Sequence, residues 1–455
     1  MNGFLSLLPP VAAIVLAFAT RQVVLSLLFG LFAGTLVLSG FSPYGAFTGL
    51  WDTLIRTVSD TDNASLLLFS LLIGALVRLV QDSGGVSGFV RMLTEKNRID
   101  SPLKAKLAAA FLGMTLFIEG SISILTVGTV MKPLFRKFRI AAEKLAYLAD
   151  STCAPVAVLL PLNGWGAYLV TQLKAQGVED PVSVLLSGMP FFFYPVFALL
   201  LVFLTTLTGR DFGSMKNAEK AALSQKSDDD SLSSSASGAG AWAFLLPMVV
   251  LVGGLFFFMK VTGNGSIREG DGACSVLNAT AAAVCVTFIL YRLSGVMKTA
   301  DMMRSSMEGM QHLLEVVMIL ALALSINSVC RELKTGIYVA GWIGPDIPLF
   351  LLPALIFVLS AAIAFATGTS WGTFAIMLGI AIPLASQLGL EVPLVLGAVV
   401  SGGVWGDHAS PVSDTTVLSS LASDCDHIRH VRTQLPYAMI AGGASILAFL
   451  IAGTL

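Results

Sequence analysis

The chain has 455 residues, 55% of them hydrophobic and 12% charged, with a net charge of −1. A soluble globular chain carries about 25% charged residues, so the composition excludes a water-soluble enzyme of this length. The near-zero charge and scattered basic residues exclude a nucleic-acid footprint and leave the lipid bilayer as the first partner.

In chain order, hydropathy predicts ten spans, near 4–20, 22–40, 64–81, 145–170, 184–208, 242–260, 273–291, 313–330, 393–421 and 434–453. Met1–Thr20 lacks a basic start and a small-residue cleavage site, so the first run is expected to stay as a helix. Amphipathic runs at 45–58 and 297–310 lie between spans.

Two further apolar stretches, 103–131 and 349–386, are read as re-entrant hairpins. Arg91, Lys96, Arg98, Lys104 and Lys106 precede the first. Lys132, Arg136, Lys137, Arg139 and Lys144 follow it. Lys and Arg favour cytoplasmic loops, so both ends belong on that side. Its tip is Phe117-Ile118-Glu119-Gly120-Ser121. Near the second stretch, Pro345-Asp346-Ile347-Pro348 and Ser386–Glu391 hold no basic residue, which suits the outer side. Its tip is Thr367-Gly368-Thr369-Ser370-Trp371-Gly372-Thr373. This topology leaves only Arg56, Lys174, Lys260, Arg268, Arg331 and Lys334 outside, of 27 Lys and Arg in all, and places both termini outside.

Corresponding motifs recur in one order. Gly85-Val86 matches Gly336-Ile337, Lys132-Pro133-Leu134 matches Ile382-Pro383-Leu384, and Asp150–Val156 matches Asp407–Val412. Residues 1–210 and 241–455 therefore read as two repeats, each about five transmembrane helices plus a hairpin. An odd number of crossings inverts the second repeat against the first, the plan of many secondary transporters. Residues 211–240, with Asp228-Asp229-Asp230 and a serine run, read as a flexible cytoplasmic linker.

Polar groups at membrane depth are costly and tend to be functional. The tips supply Glu119, Ser121, Thr367, Thr369 and Ser370. Two polar spans supply Asp150, Ser151, Thr152 and Asn163, and Asp407, His408, Ser410, Ser413, Asp414 and Thr415. Pro155 and Pro411 each remove a backbone N–H, freeing the carbonyls of Ser151 and Asp407 and breaking the helices near the midplane. Ser410 is expected to N-cap the half-helix after it. Carboxylates, hydroxyls and free carbonyls are hard ligands suited to an alkali cation, and a carboxylate also carries a proton. Asp150, Asp407 and Asp414 are the expected Na⁺ ligands. Each Ser or Thr could equally bond only backbone. His408 could be a structural group or a titrating one. The five cysteines show no metal-ligand spacing and read as small hydrophobes. There is no zinc-protease motif, nucleophile elbow or phosphate loop, so no enzyme and no resident cofactor is expected.

Gly406-Asp407-His408-Ala409-Ser410-Pro411-Val412-Ser413-Asp414-Thr415-Thr416, followed by Leu418-Ser419-Ser420, resembles the signature of the NhaC family of sodium/proton antiporters. Gly368-Thr369-Ser370-Trp371-Gly372-Thr373-Phe374 resembles its second marker. The resemblance implies Na⁺/H⁺ exchange across the cytoplasmic membrane, an ion-transporter-superfamily fold with re-entrant hairpins, and a homodimer working by an elevator-like motion. The sodium/proton branch often carries Lys where this chain has His408. The family also resembles a malate/lactate antiporter, which keeps a Na⁺- or H⁺-coupled carrier of a small organic acid or amino acid open as the alternative.

Overall fold

The computed structural model describes residues 3–20, 22–85, 88–89, 92, 99–115, 120–161, 163–224, 239–265, 270–335, 338, 348–411 and 413–454. Outside this set lie Val86, Arg91, Lys96, Arg98, Phe117, Ile118, Glu119, Arg268, Gly336, Ile337, Pro345, Asp346, Ile347, Val412 and linker residues 225–238.

The described chain is all-helical. Helices α1 (Leu8–Thr20) and α2 (Val23–Leu38) lead to α3 (Pro43–Ser59), which turns by 119° from α2. Then come α4 (Thr61–Asp82), α5 (Pro102–Thr115) and α6 (Gly120–Lys137). The polar span divides into α7 (Ala142–Ser151), α8 (Ala154–Leu159) and α9 (Gly164–Ala175). After these follow α10 (Pro181–Gly188), α11 (Phe193–Thr208), α12 (Gly213–Leu223), α13 (Trp242–Thr262), α14 (Gly272–Leu293), α15 (Thr299–His312) and α16 (Leu314–Glu332). The chain closes with α17 (Leu352–Thr367), α18 (Ser370–Leu388), α19 (Val392–Ala409), α20 (Asp414–Ser423) and α21 (His427–Ala452).

Among the described residues, eight helical stretches are long and apolar enough to cross a membrane, or up to ten if each bent pair is one span. That bears out a polytopic membrane protein, but two of the eight, Leu349–Thr367 and Ser370–Leu388, are the arms of the second stretch, which the hydropathy reading does not count among the spans. Local chemistry sets the ends. Asp60 receives the backbone N–H groups of Asp62 and Asn63 at 3.2 and 3.1 Å, and Asp271 that of Cys274 at 3.0 Å. Each satisfies donors that a helix start leaves free.

Three expectations shift. The single span at 184–208 is α10, a 3₁₀ turn at Met189–Phe191, and α11, with Pro190 inside the turn. The span expected to begin at 434 begins seven residues earlier, because Asp426 caps Arg429 N–H at 2.9 Å and starts α21 in the charged stretch. The linker expected at 211–240 starts with an anchored helix. In α12, Met215, Ala218 and Ala222 are buried.

Both expected hairpins are pairs of helices, α5 with α6 and α17 with α18. The second turns at Gly368, whose φ of +70° places it in the left-handed region where glycine is unstrained. Helices α17 and α19 pack backbone to backbone. A Cβ at Gly402 would sit 2.4 Å from the Phe357 carbonyl, and one at Gly406 2.4 Å from that of Ala361. Small residues permit that approach in a membrane. It brings the break after α19 beside the α17–α18 turn.

Candidate functional site

Two helix breaks meet in the interior. One separates α19 from α20; the other separates α7 from α8. Asp407, on the last turn of α19, is 3% exposed. Its Oδ2 accepts Ser370 Oγ at 2.6 Å and Ser370 N at 3.3 Å, both from the start of α18. Its Oδ1 accepts Ser413 Oγ at 2.5 Å, and Ser413 lies 2.9 Å from Thr415 Oγ1. No Lys or Arg among the described residues pairs with Asp407.

His408, equally buried, is held at both ring nitrogens. Nε2 lies 2.9 Å from Ser151 Oγ and Nδ1 lies 2.5 Å from Tyr194 OH, on α11. Its carbonyl accepts Gln434 Nε2 at 2.6 Å. The same Nε2 donates to Asp150 Oδ2 at 2.7 Å, so one amide on α21 ties the two breaks together. Thr416 Oγ1 donates to Asp150 Oδ2 at 3.4 Å, and His430 Nε2 lies 3.5 Å away. Asp150 is 1% exposed.

The structure thus gathers Asp407 with Ser370, Ser413 and Thr415, and His408 with Ser151, and links both through Gln434 to Asp150. Other expected residues serve the backbone. Thr152 and Thr367 donate to carbonyls four residues earlier, at 2.7 and 2.8 Å. Asn163 caps α9 through Trp165 N at 2.9 Å and donates to the Ala157 carbonyl at 2.7 Å. Thr369 is half-buried in the α17–α18 turn. Asp414 is exposed, and its Oδ1 accepts Thr415 N at 2.8 Å. Glu119 lies outside the described residues, and Ser121 enters only as a backbone position of α6.

Two local expectations are corrected. Ser410 does not start a half-helix. It ends α19 and donates to the Phe365 carbonyl at 2.7 Å, while α20 starts at Asp414. A carbonyl of the neighbouring hairpin arm outcompetes the local cap. The Asp407 carbonyl is not left free either: Ser410 N–H reaches it at 3.2 Å, and the His408 carbonyl is the one used by a side chain.

His430, Gln434 and Tyr194 were not singled out from sequence. His427, His430 and Gln434 are spaced by three and four, one face of a helix, which is the signal available. His427 Nε2 meets the Pro411 carbonyl at 2.7 Å, and His430 Nε2 meets Ser419 Oγ at 2.9 Å.

One more buried charge lies near. Lys144, fully buried on α7, donates to Asp211 Oδ1 at 2.7 Å and to Thr205 Oγ1 at 3.1 Å. Its charge is thereby neutralised away from Asp150. Two cavities flank the interior. One of about 360 Å³ is lined by Arg56, Asp60, Asp62, Lys174, Arg331 and Glu332. The other, about 390 Å³, is lined by Lys132, Arg136, Arg139, Glu143, Asp424 and Arg429. The first gathers basic residues expected outside and the second gathers those expected inside. Neither is lined by Asp150, Asp407 or His408.

Comparison with known proteins gives this site its context. The model of the Na⁺/H⁺ antiporter family matches residues 177–454. An uncharacterized protein of Haemophilus influenzae is 34% identical over 98% of this chain and 90% of its own length. The malate-2H⁺/Na⁺-lactate antiporter of Bacillus subtilis is 35% identical over 34% of this chain and 33% of its own. Among solved structures, the YdaH transporter of Alcanivorax borkumensis has a similar fold, with a TM-score of 0.58 at 16% identity, covering 89% of this chain and 88% of that one. The chain belongs to the Na⁺/H⁺ antiporter family and is a multi-pass membrane transporter, not an enzyme.

Proposed function

We propose that the chain exchanges Na⁺ for H⁺ across the cytoplasmic membrane, with Asp407 as the principal exchanging carboxylate. The observation that carries this reading is a buried carboxylate held by two hydroxyls and one backbone N–H, with no Lys or Arg partner among the described residues. An unpaired carboxylate at membrane depth is costly. Either a proton or a Na⁺ relieves that cost, and one site that takes either but not both exchanges them. Losing the proton to one side leaves the carboxylate for Na⁺; losing Na⁺ to the other restores the acid.

Ser370, Ser413 and Thr415 complete the oxygen set. The site joins the ends of broken helices, where half-helix termini and unwound carbonyls hold ions in other secondary transporters. Residues 1–210 and 241–455 act as inverted repeats, with α5/α6 and α17/α18 as re-entrant hairpins. Residues 225–238 complete the cytoplasmic linker. A homodimer moving the site by an elevator-like step is the working form.

A proteoliposome assay tests the reading. Added Na⁺ should drive proton movement in wild type, and none should be seen in Asp407→Asn. A second reading, coupled transport of a small organic acid, is favoured by the similarity to the malate/lactate antiporter. The same vesicles, given malate or lactate in place of Na⁺, separate the two.

A further inference from the structure

We infer that Asp150 and Gln434 form a second position for an alkali-metal cation, separate from Asp407, so that each chain holds two such ions when saturated. The inference rests on the proposed Na⁺ exchange.

It starts from lone pairs without donors. Among the described residues, Asp150 Oδ1, Gln434 Oε1 and His430 Nδ1 are all buried and have no hydrogen-bond partner. Asp150 joins them: its Oδ2 meets Gln434 Nε2 at 2.7 Å and His430 Nε2 at 3.5 Å. The orientation of each follows from its bonds. Gln434 Nε2 spends both hydrogens, on Asp150 Oδ2 and on the His408 carbonyl. A flipped amide would set Oε1 against two acceptors, so Oε1 must face the remaining side. Ser419 donates its single hydrogen to the Thr416 carbonyl at 3.0 Å. With that hydrogen on the carbonyl, His430 Nε2 is the donor to Ser419, and in the neutral ring Nδ1 keeps its lone pair.

Buried polar atoms are nearly always paired, and an unpaired one calls for an explanation. Here the partnerless atoms are two hard oxygens and an imidazole nitrogen, and one oxygen belongs to a carboxylate. A cation satisfies several lone pairs at once and cancels that charge, whereas a water supplies only dipoles. Lys144 does not supply the charge, since Asp211 already takes it.

Asp407 is a different position. Its two oxygens are both bonded, by Ser370 and Ser413. No described side chain bonds both carboxylates. The link is indirect: Gln434 holds the carbonyl of His408, the residue next to Asp407. An ion pulling on Gln434 Oε1 thus also acts on the end of α19, so the two positions should fill cooperatively.

The test is equilibrium binding of radiolabelled Na⁺ to the purified full-length protein. Wild type should bind two ions per chain. Gln434→Leu and Asp150→Asn should each bind one, and Asp407→Asn should also bind one. Asp150→Asn keeps volume and gives the same reading should the Leu variant fail to stay monodisperse. Equal counts in wild type and in either Asp150→Asn or monodisperse Gln434→Leu overturn the inference, as does loss of all binding in one of them. A wild type that binds no Na⁺ instead overturns the Na⁺ reading of the transporter itself.

Discussion

Removing the carboxylate of Asp211 should be among the most destabilising single changes outside the candidate ion site. Lys144 is fully buried, and its ammonium has Asp211 at 2.7 Å, Thr205 at 3.1 Å, and the Tyr147 and Tyr437 rings at 5.1 and 5.6 Å. In Asp211→Leu the ammonium keeps one hydroxyl and two ring faces. Breaking a buried pair in this way costs about 3–5 kcal/mol, because one charge stays without its counter-ion. The rings, worth up to about 2 kcal/mol when desolvated, are already in place and cannot compensate. Replacing both partners removes the orphan charge. Lys144→Met with Asp211→Leu should cost only about 1–3 kcal/mol, chiefly because Tyr437 OH loses the acceptor it has at 2.7 Å. The double-mutant cycle should therefore show a coupling of about 2 kcal/mol or more. Denaturant unfolding in detergent micelles measures Asp211→Leu, Lys144→Met and the double mutant. A single mutant that loses under about 1 kcal/mol, or a double mutant as unstable as the single, would refute the reasoning.

Asp407→Asn should abolish Na⁺-driven proton flux while the protein still inserts and stays monodisperse; normal exchange at saturating Na⁺ would make Asp407 structural. His408→Gln should lower stability by about 1–3 kcal/mol, since a single amide cannot meet both Ser151 and Tyr194. Unchanged thermal unfolding in that variant would mean that one of the two contacts carries nothing. Asp424 is held below the usual carboxylate range by its bond to Lys132 and by Arg136 beside it. A lowered folded value means the contact is present at neutral pH and is lost as pH falls through that value. Asp424 is largely exposed, so Asp424→Asn should cost less than about 1 kcal/mol, and less still in high salt. A larger, salt-insensitive loss would mean that the α6–α20 contact does not depend on surface charge.

The helices were legible because apolar runs of spanning length have few alternative structures in a bilayer. The polar breaks were legible for a related reason: Asp407 and Asp150 stand beside prolines in otherwise apolar spans. What failed was anything set by a distant partner. Lys144 read as one more basic residue of a cytoplasmic loop, yet Asp211, 67 residues later, meets it inside the protein. The local rule that serine before proline starts a helix lost to the Phe365 carbonyl, 45 residues earlier. His430 was hidden by its neighbours, because Arg429 and Arg432 mark the segment as a loop, and Gln434 stood at the very edge of the expected span. Arg429 in fact reaches out to Glu143 at 2.6 Å while His430 points inward. A helical wheel drawn through the charged stretch would have separated the two faces.

The choice between a cation and an organic anion as cargo turns on what the half-helix starts are already doing. An anion carrier offers such N-termini to its substrate, since their free N–H groups and dipole favour negative charge. Here Ser370 N–H, at the start of α18, points at Asp407, and Thr415 N–H, at the start of α20, points at Asp414. Both donors serve the protein's own acids. A carboxylate substrate would have to displace Asp407 from Ser370 and then share the interior with two buried carboxylates, with the nearby Lys144 already committed to Asp211. A cation meets the opposite situation. Every acid that would repel an anion attracts it, and the hydroxyls of Ser370 and Ser413 turn from donor to ligand by rotating one hydrogen. Asp407→Asn separates these cases physically. It frees no new positive charge for an anion, but it removes the one negative charge that a cation at this position needs. If malate or lactate flux in that variant falls while Na⁺ binding is unchanged from wild type, the cation assignment at Asp407 is wrong.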